Sequence, residues 1–330
     1  MTAEIISTGA FVPEKTVTND DLSRIMDTND EWIRTRTGIG ERHIADEEFP
    51  NDEKAFILAL KACERALNNA SEKAKTEKTA SFKDRSDIDM IIVGTSTPDF
   101  SFPATACRLQ EALGIENAAA FDISLACTGF IAALSTADAY IRAGVYKNIL
   151  VVGVDVLSRL IDWSDRGTAV LFGDGAGAAV VSASDSESGV IKTVLHSAGS
   201  GAKALYSKSM YFNEDEKAGM SMDGKKVYDF AVRKTPEVIR EAVESINCDD
   251  VKYYVLHQAN IRIIEAVSKR LKEPMEKFPH NIGRYGNTSA ASIPIMLDEL
   301  EREGRLKKGD LICLAGFGAG LAYGAVLLKF

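Results

Sequence analysis

An α/β fold made of two duplicated halves is what the sequence predicts, on three observations. Short apolar, β-branched runs alternate with amphipathic stretches, as in α/β proteins. The order of these segments occurs twice along the 330 residues. The halves also end alike, in Phe172-Gly173-Asp174-Gly175-Ala176-Gly177 and Phe317-Gly318-Ala319-Gly320. The polar run Ser182 to Ser188 is the natural joint, giving an N-terminal half over 1–186 and a C-terminal half over 187–330.

The elements follow in order. Asp89 to Gly94 reads as a buried strand, Pro103 to Leu113 as a helix, and Ala118 to Ile123 as a second strand. The stretch Gly129 to Gly144 has apolar residues at helical spacing, with Gly144 as its stop. Strands at Asn148 to Val154 and near Ala176 to Ser182 complete this half. The second half repeats the plan. Val251 to Leu256 is a strand, Ile261 to Leu271 a helix, Glu276 to Pro279 a short strand, and Ser289 to Glu303 a helix. Strands at Leu311 to Ala315 and Ala322 to Leu328 close it. Two segments stand outside the plan. Asn68 to Asp87 is rich in Lys, Glu, Ser and Thr and reads as a solvated helix extension or surface insertion. Gly199 to Gly219, with Tyr206, Tyr211 and Phe212, reads as a long excursion of the kind used for lids or partner contacts.

Composition is that of a globular protein, 45% hydrophobic and 26% charged, with mean hydropathy near zero. A net charge of −9 argues against a general nucleic-acid binder. No apolar run approaches the ~20 residues of a membrane helix, and Met1 to Gly9 lacks the pattern of a secretory signal. Five cysteines, without CxxC pairs, suggest reduced thiols in a cytoplasmic protein and neither a disulfide framework nor a metal site.

Cys127 lies in Asp122-Ile123-Ser124-Leu125-Ala126-Cys127-Thr128-Gly129-Phe130, where a strand gives way to a helix. Unsatisfied N–H groups and the helix dipole at such a place favour thiolate, the nucleophilic form. A small apolar core residue is the competing reading, and the segment alone does not choose. The duplication adds neighbours. If the halves superpose, Cys127 and Asn287 occupy matching places, and His257 ends the first strand of the second half. Ligands gather at the carboxyl ends of strands in open α/β sheets, so all three point toward one cleft. Singly, His257 reads equally as a structural hydrogen-bonder and Asn287 as a turn residue. The runs Gly173 to Gly177 and Gly316 to Gly320 lack both the P-loop Gly-Lys-Ser/Thr and the GxGxxG that opens a helix. They read instead as close backbone approaches before strands.

The ordered motifs resemble the thiolase superfamily, and within it the β-ketoacyl-acyl-carrier-protein synthase III family, over essentially the whole chain. The segment Asp30-Glu31-Trp32-Ile33-Arg34-Thr35-Arg36-Thr37-Gly38-Ile39 is similar to that family's CoA-binding segment. Ala126-Cys127-Thr128-Gly129-Phe130 is similar to its nucleophile motif, His257-Gln258-Ala259-Asn260 to its histidine motif, and Tyr285-Gly286-Asn287-Thr288-Ser289-Ala290-Ala291-Ser292-Ile293-Pro294 to its asparagine motif.

The resemblance implies a five-layered αβαβα fold in a homodimer and no cofactor, acyl-CoA being a substrate. The reaction implied is a decarboxylating Claisen condensation of an acyl-CoA primer, acetyl or another short acyl group, with malonyl-acyl-carrier protein. It starts fatty-acid synthesis. A related acyltransferase of specialised metabolism, with another acceptor, is the alternative. The implied roles make Cys127 the acyl-carrying nucleophile. His257 and Asn287 are neutral donors to the enolate, which a strong acid there would quench. The N–H groups of Cys127 and Ala319 form the oxyanion hole. Trp32 and Arg166 clamp the adenine, Arg36 meets a CoA phosphate, and Asn260 and Gly224 lie along the pantetheine channel. Phe102 and Phe317 stand near the acyl pocket, Phe102 reaching across the dimer. Arg262, Lys269 and Arg270 match in part the carrier-docking helix, and in the helix before it Asp229 replaces a residue that is often basic. Two further departures stand out: Asn68 to Asp87 is longer than the family's usual connection, and Gly318-Ala319-Gly320-Leu321 lacks a third consecutive glycine.

Overall fold

The computed structural model describes residues 1–76, 82–208 and 219–330. Tyr211 and Phe212, and part of the Asn68 to Asp87 segment, lie outside the described residues. In chain order the first half contains β1 (Thr2–Phe11), β2 (Thr16–Thr18), α1 (Asn19–Ser23), α2 (Asp30–Thr37), β3 (Glu41–His43) and α3 (Lys54–Thr76). It continues with β4 (Met90–Gly94), α4 (Thr105–Ala112), β5 (Ala119–Ile123), α5 (Gly129–Arg142), β6 (Asn148–Val156) and β7 (Asp174–Ser184). The second half contains β8 (Gly189–Ser197), β9 (Leu205–Ser207), β10 (Met220–Met222), α6 (Gly224–Ala242), β11 (Tyr253–Leu256) and α7 (Ile261–Leu271). It ends with α8 (Ile282–Tyr285), α9 (Ser292–Arg302), β12 (Leu311–Gly318) and β13 (Ala322–Lys329).

Two main sheets result, of order β1-β7-β6-β4-β5 and β8-β13-β12-β11. Their ladders agree position by position: antiparallel at β1/β7 and β8/β13, antiparallel at β7/β6 and β13/β12, parallel at β6/β4 and β12/β11. Side-chain alternation explains the layers, because successive residues of a strand face opposite sides. On β4, Met90 and Ile92 join the core around α5 and α9, whereas Ile91 and Val93 join the one under α3 and α4. On β12, Ile312 and Leu314 face α5 and α9, while Cys313, Ala315 and Phe317 face α6 and α7. Helices therefore cover both faces of both sheets, with α5 and α9 shared between them. This is why β6 is buried at every residue and reads as a continuous apolar run. Each fully buried aliphatic side chain in these layers contributes about 1.5–3 kcal/mol.

One expected strand is absent. Residues 275–277 form a 3-10 turn instead of the strand expected at Glu276 to Pro279. Pro274 fixes the entry with φ −67°, and Lys277 N–H donates to the Pro274 carbonyl at 3.1 Å. Pro279 has no N–H to offer a ladder. Among the described residues, the second sheet accordingly has no counterpart of β5. The Asn68 to Asp87 segment does begin as a helix extension, since α3 runs on to Thr76.

Candidate active site

Cys127 sits in a 3-10 turn, Ala126–Thr128, that leads directly into α5. No side chain caps the start of α5, and the Gly129 N–H donates to the Ala126 carbonyl within the turn that holds Cys127. The turn Ser289–Ala291 leads into α9 in the same way. Both turns open on a left-handed non-glycine residue, Ala126 at φ +46° and Ser289 at φ +51°, a costly conformation that concentrates at functional sites. The matching positions are thus Ala126 with Ser289 and Cys127 with Ala290. This corrects the expected match of Cys127 with Asn287.

Two glycines allow the turns to meet. A Cβ at Gly94 would lie 2.5 Å from the Gly129 carbonyl carbon, and one at Gly153 only 2.3 Å from the Ala290 oxygen. With no side chain between, the start of α5 rests on the end of β4 and the Ser289 turn rests on β6. The Ser289 hydroxyl reaches Cys127 Sγ at 3.3 Å.

His257 follows β11, its N–H donating to the Ala315 carbonyl at 2.8 Å. Its Nδ1 is 2.8 Å from Ser292 Oγ, and its ring meets Phe317 edge-on at 5.3 Å. Asn287 is pinned through its backbone: its N–H donates to Leu171 O at 2.8 Å and its carbonyl accepts from Gly173 N–H at 3.0 Å. Its Oδ1 accepts from Ser289 N–H at 2.9 Å, which turns the amide Nδ2 away from that bond.

Cys127, His257 and Asn287 line one cavity of about 320 Å³, together with Trp32, Arg36, Arg166, Gly224, Asn260 and Phe317. Burial sets the charge states. Desolvation pushes the Cys127 thiol up to about 12, against the Ser289 hydrogen bond and helped by the Asp155 charge. Desolvation also drives His257 down to about 3. The resting pair is neutral thiol and neutral imidazole, which corrects the expectation of a resting thiolate. At this depth the burial penalty on an anion outweighs the helix terminus.

At the outer end, the guanidiniums of Arg36 and Arg166 stand 5.0 and 5.1 Å from the Trp32 ring centroid. Asn260 caps α7, its Oδ1 accepting from Arg262 N–H at 2.9 Å. Its Nδ2 donates to the Arg36 carbonyl at 3.0 Å, tying α7 to α2. Several expected residues stand apart from the cavity. Phe102 is 87% exposed. Ala319 is half-buried and does not line the cavity, whereas Gly318 does. Arg262, Lys269 and Arg270 are exposed on α7, with only Arg262 near the mouth, 6.0 Å from the ring of the lining residue Tyr228.

Sequence reasoning missed Ser289, Ser292 and Asp155. A sequence signal exists for Asp155, a carboxylate closing the apolar run Val151-Val152-Gly153-Val154. It is fully buried and accepts from Ser96 N–H at 2.8 Å, Thr97 Oγ1 at 2.9 Å and Ala290 N–H at 3.2 Å. Among the described residues, no cluster of three or more His, Cys, Asp or Glu is disposed to hold a metal, and no helix is long and apolar enough to cross a membrane.

Comparison with known proteins gives this geometry its family. Residues 121–199 match the model for 3-oxoacyl-[acyl-carrier-protein] synthase III, and residues 242–330 match that for its C-terminal part. The β-ketoacyl-[acyl-carrier-protein] synthase III of Oceanobacillus iheyensis is 48% identical over 332 residues, covering 100% of this chain and 99% of that one. The crystal structure of 3-oxoacyl-[acyl-carrier-protein] synthase III from Aquifex aeolicus superposes with TM-score 0.90 at 44% identity, over 99% of this chain and 100% of that one. The priming β-ketosynthase of the R1128 polyketide pathway superposes with TM-score 0.90 at 34% identity, over 99% and 96% of the two chains. The five-layered, duplicated fold is therefore the thiolase fold, and the chain belongs to the β-ketoacyl-[acyl-carrier-protein] synthase III family of condensing acyltransferases.

Proposed function

We propose that the chain catalyses the decarboxylating condensation of a short acyl-CoA with malonyl-acyl-carrier protein, starting fatty-acid synthesis in the cytoplasm. The observation that carries the reading is the single cavity joining Cys127, His257 and Asn287 to Trp32, Arg36 and Arg166. Cys127 takes the acyl group from CoA, so that one difficult transfer becomes two easier ones. The N–H groups of Cys127 and Ala319 receive the oxyanion. His257, held neutral by burial, and Asn287 then stabilise the enolate left by CO2 loss without protonating it. Trp32 and Arg166 hold the adenine, Arg36 a phosphate, and Gly224 and Asn260 flank the pantetheine arm. Phe317 walls the acyl end.

The assembly we propose is a homodimer, with exposed Phe102 reaching into a second copy. Carrier protein docks on Arg262, Lys269 and Arg270, a local basic face on an acidic chain. The joint between the two halves is placed at 186/187, beyond the last residue of β7. No cofactor enters these steps.

Intact-mass detection of an acyl adduct with a panel of acyl-CoAs tests the reading, with Cys127→Ser as control. The parent should gain one acyl group and the variant none. A variant that acylates as well as the parent removes Cys127 from the mechanism. A second reading, a related acyltransferase of specialised metabolism that uses a different acyl acceptor, is favoured by the likeness to the polyketide priming enzyme. It would show as Cys127 acylation without CO2 release from malonyl-acyl-carrier protein.

A further inference from the structure

One buried carboxylate gathers three donors from the stretch that leads into Asn287. Glu299 is buried on α9. Its Oε1 accepts from Arg284 Nη2 at 2.8 Å and from the Tyr285 hydroxyl at 2.7 Å. Its Oε2 accepts from Asn281 Nδ2 at 2.7 Å. Burial, the Glu299 hydrogen bond and the Glu299 charge push the Tyr285 phenol up to about 12, so at neutral pH it stays a donor.

The same helix holds His257 by its other end. Ser292 lies two turns before Glu299 on one face of α9. Its hydroxyl is 2.8 Å from His257 Nδ1 and accepts from Gln258 N–H at 3.4 Å. Gln258 Oε1 accepts from Asn281 N–H at 3.2 Å, and its Nε2 donates to Leu256 O at 2.8 Å. These bonds close a ring that runs from His257 through Ser292, along α9 to Glu299, then through Asn281 and Gln258 back to His257.

The ring supplies what the local pins do not. The Asn287 backbone is fixed to Leu171 and Gly173, just ahead of β7 in the first sheet, whereas His257 is fixed to Ala315 of β12 in the second. Neither attachment relates the two side chains to each other. Arg284 and Tyr285 stand directly before Gly286, whose φ is +65°. A Cβ there would lie 2.8 Å from Leu171 O, so the turn into Asn287 has little slack. Holding Asn281, Arg284 and Tyr285 on α9 therefore carries through to Asn287. Cys127 is seated elsewhere, against Gly318, and meets the approach to α9 at the Ser289 hydroxyl.

We propose that Glu299 is a positioning residue of the decarboxylation half-reaction, holding His257 and Asn287 at a fixed spacing around the enolate oxygen. The proposal rests on reading those two residues as the enolate's donors. Glu299 does not line the cavity, and no bond forms or breaks at it. It acts on distance alone, and two donors aimed at one oxygen are sensitive to distance, a 1 Å misplacement costing roughly 10²-fold.

The test is CO2 release from malonyl-acyl-carrier protein by pre-acylated enzyme, beside single-turnover acylation followed by intact mass. The proteins are the parent, Glu299→Ala, Glu299→Gln, Tyr285→Phe, the Glu299→Ala/Tyr285→Phe double variant, and His257→Ala as reference. Glu299→Ala should slow decarboxylation by roughly 10²-fold and keep acylation within a factor of about three. Glu299→Gln keeps an oxygen for Arg284 and Tyr285 and should recover roughly tenfold of that loss. Tyr285→Phe should slow decarboxylation in the parent but add nothing to Glu299→Ala, where its hydroxyl has no acceptor left to lose. Should Glu299→Ala not fold, Glu299→Gln and Tyr285→Phe still decide, by losing decarboxylation ahead of acylation. Parental decarboxylation in the folded variants, equal losses in both half-reactions, no recovery in Glu299→Gln, or multiplying effects in the double variant would each overturn the positioning role. Parental decarboxylation by His257→Ala would instead overturn the enolate reading on which the proposal rests.

Discussion

His257 Nδ1 and Ser292 Oγ lie 2.8 Å apart, and the same hydroxyl lies 2.8 Å from the Ser289 carbonyl. Ser292 has one proton to give. Turned toward Ser289, it leaves Nδ1 as the protonated ring nitrogen; turned toward Nδ1, it leaves the proton on Nε2. Only the second arrangement gives a neutral imidazole with an N–H left to donate, as the proposed enolate stabilisation requires. The hydroxyl thus governs which face of His257 the substrate meets. Ser292→Ala should reduce decarboxylation by roughly 10²-fold while acylation falls much less. Rapid-quench assay of the two half-reactions separates these outcomes, and equal losses would remove Ser292 from the enolate step.

His257 also makes the fold sensitive to acid. Its folded value, about 3, lies below the ordinary 6.5 because burial disfavours the cation. Between those values the unfolded chain binds a proton that the native state does not. Stability from keeping His257 neutral is therefore present above about pH 6.5 and is lost as pH falls toward 3. The slope approaches 1.4 kcal/mol per pH unit for a fully buried group. His257→Gln should flatten the denaturation midpoint between pH 6 and pH 4 relative to the parent. Parallel curves for the two proteins would show that His257 contributes nothing to the acid limb.

Gly318 is where the second sheet presses on Cys127, the proposed nucleophile. A Cβ there would stand 2.9 Å from Cys127 N and 3.1 Å from Cys127 Cβ, both parts of a rigid turn. Gly318→Ala must push Cys127 off its seat, and overpacking of this kind costs about 1–3 kcal/mol. The expected signature is a modest fall in melting temperature with a larger fall in acylation. Unchanged acylation in the folded variant would mean that β12 does not position the sulfur.

The parts of this protein that were legible in the sequence are those decided by local chemistry. The helix Ile261–Leu271 falls on the expected residues because Asn260 caps it and its apolar positions, among them Ile263, Ile264 and Val267, share one face. The core strands were legible because Ile and Val at β4 and β6 are buried on both sides. Cys127, His257 and Asn287 came from motif likeness and topology, and the cavity joins them. The strand expected at Glu276 to Pro279 was inferred from the repeat, but Pro274 and Pro279 overrule the repeat locally. Ser289, Ser292 and Asp155 were hidden for another reason. Their partners lie 162, 35 and 135 residues away in the chain, and serine is too common for its position alone to point to a sulfur or an imidazole. The thiolate expectation failed because burial depth is a property of the layers and not of the helix start.

Arg42 supports the cavity wall from behind. The side chain is fully buried and, among the described residues, has no carboxylate within ion-pair distance. Its Nη1 donates to Val17 O at 2.9 Å, while Nη2 donates to Asn19 Oδ1 at 2.9 Å and Val170 O at 2.8 Å. Desolvation lowers it to about 10, so it remains charged and must keep these acceptors. Val170 lines the cavity. Arg42→Met should leave those acceptors unpaired, at about 1–3 kcal/mol each, and raise KM for acyl-CoA more than it lowers kcat. A change confined to kcat would argue that the wall is held by other contacts.

Trp32 carries the most direct test of CoA recognition. Two guanidiniums, of Arg36 and Arg166, already stand about one contact distance from its ring. An adenine inserted between Trp32 and Arg166 therefore has to displace the latter. The displacement is cheap, because Arg166 is half exposed and its anchors are Asp27 O at 2.8 Å and the exposed Asp27 carboxylate at 3.5 Å. In the proposed complex the adenine would gain a stacking face, and the guanidinium would recover its cation–π contact on the other side of the base. Trp32→Ala should raise KM for acetyl-CoA by roughly tenfold, the equivalent of about 1.4 kcal/mol. Acylation by acetyl-pantetheine, which lacks the adenine, should be unaffected. Equal losses with both donors would place Trp32 in holding α2 together and not in reading the nucleotide.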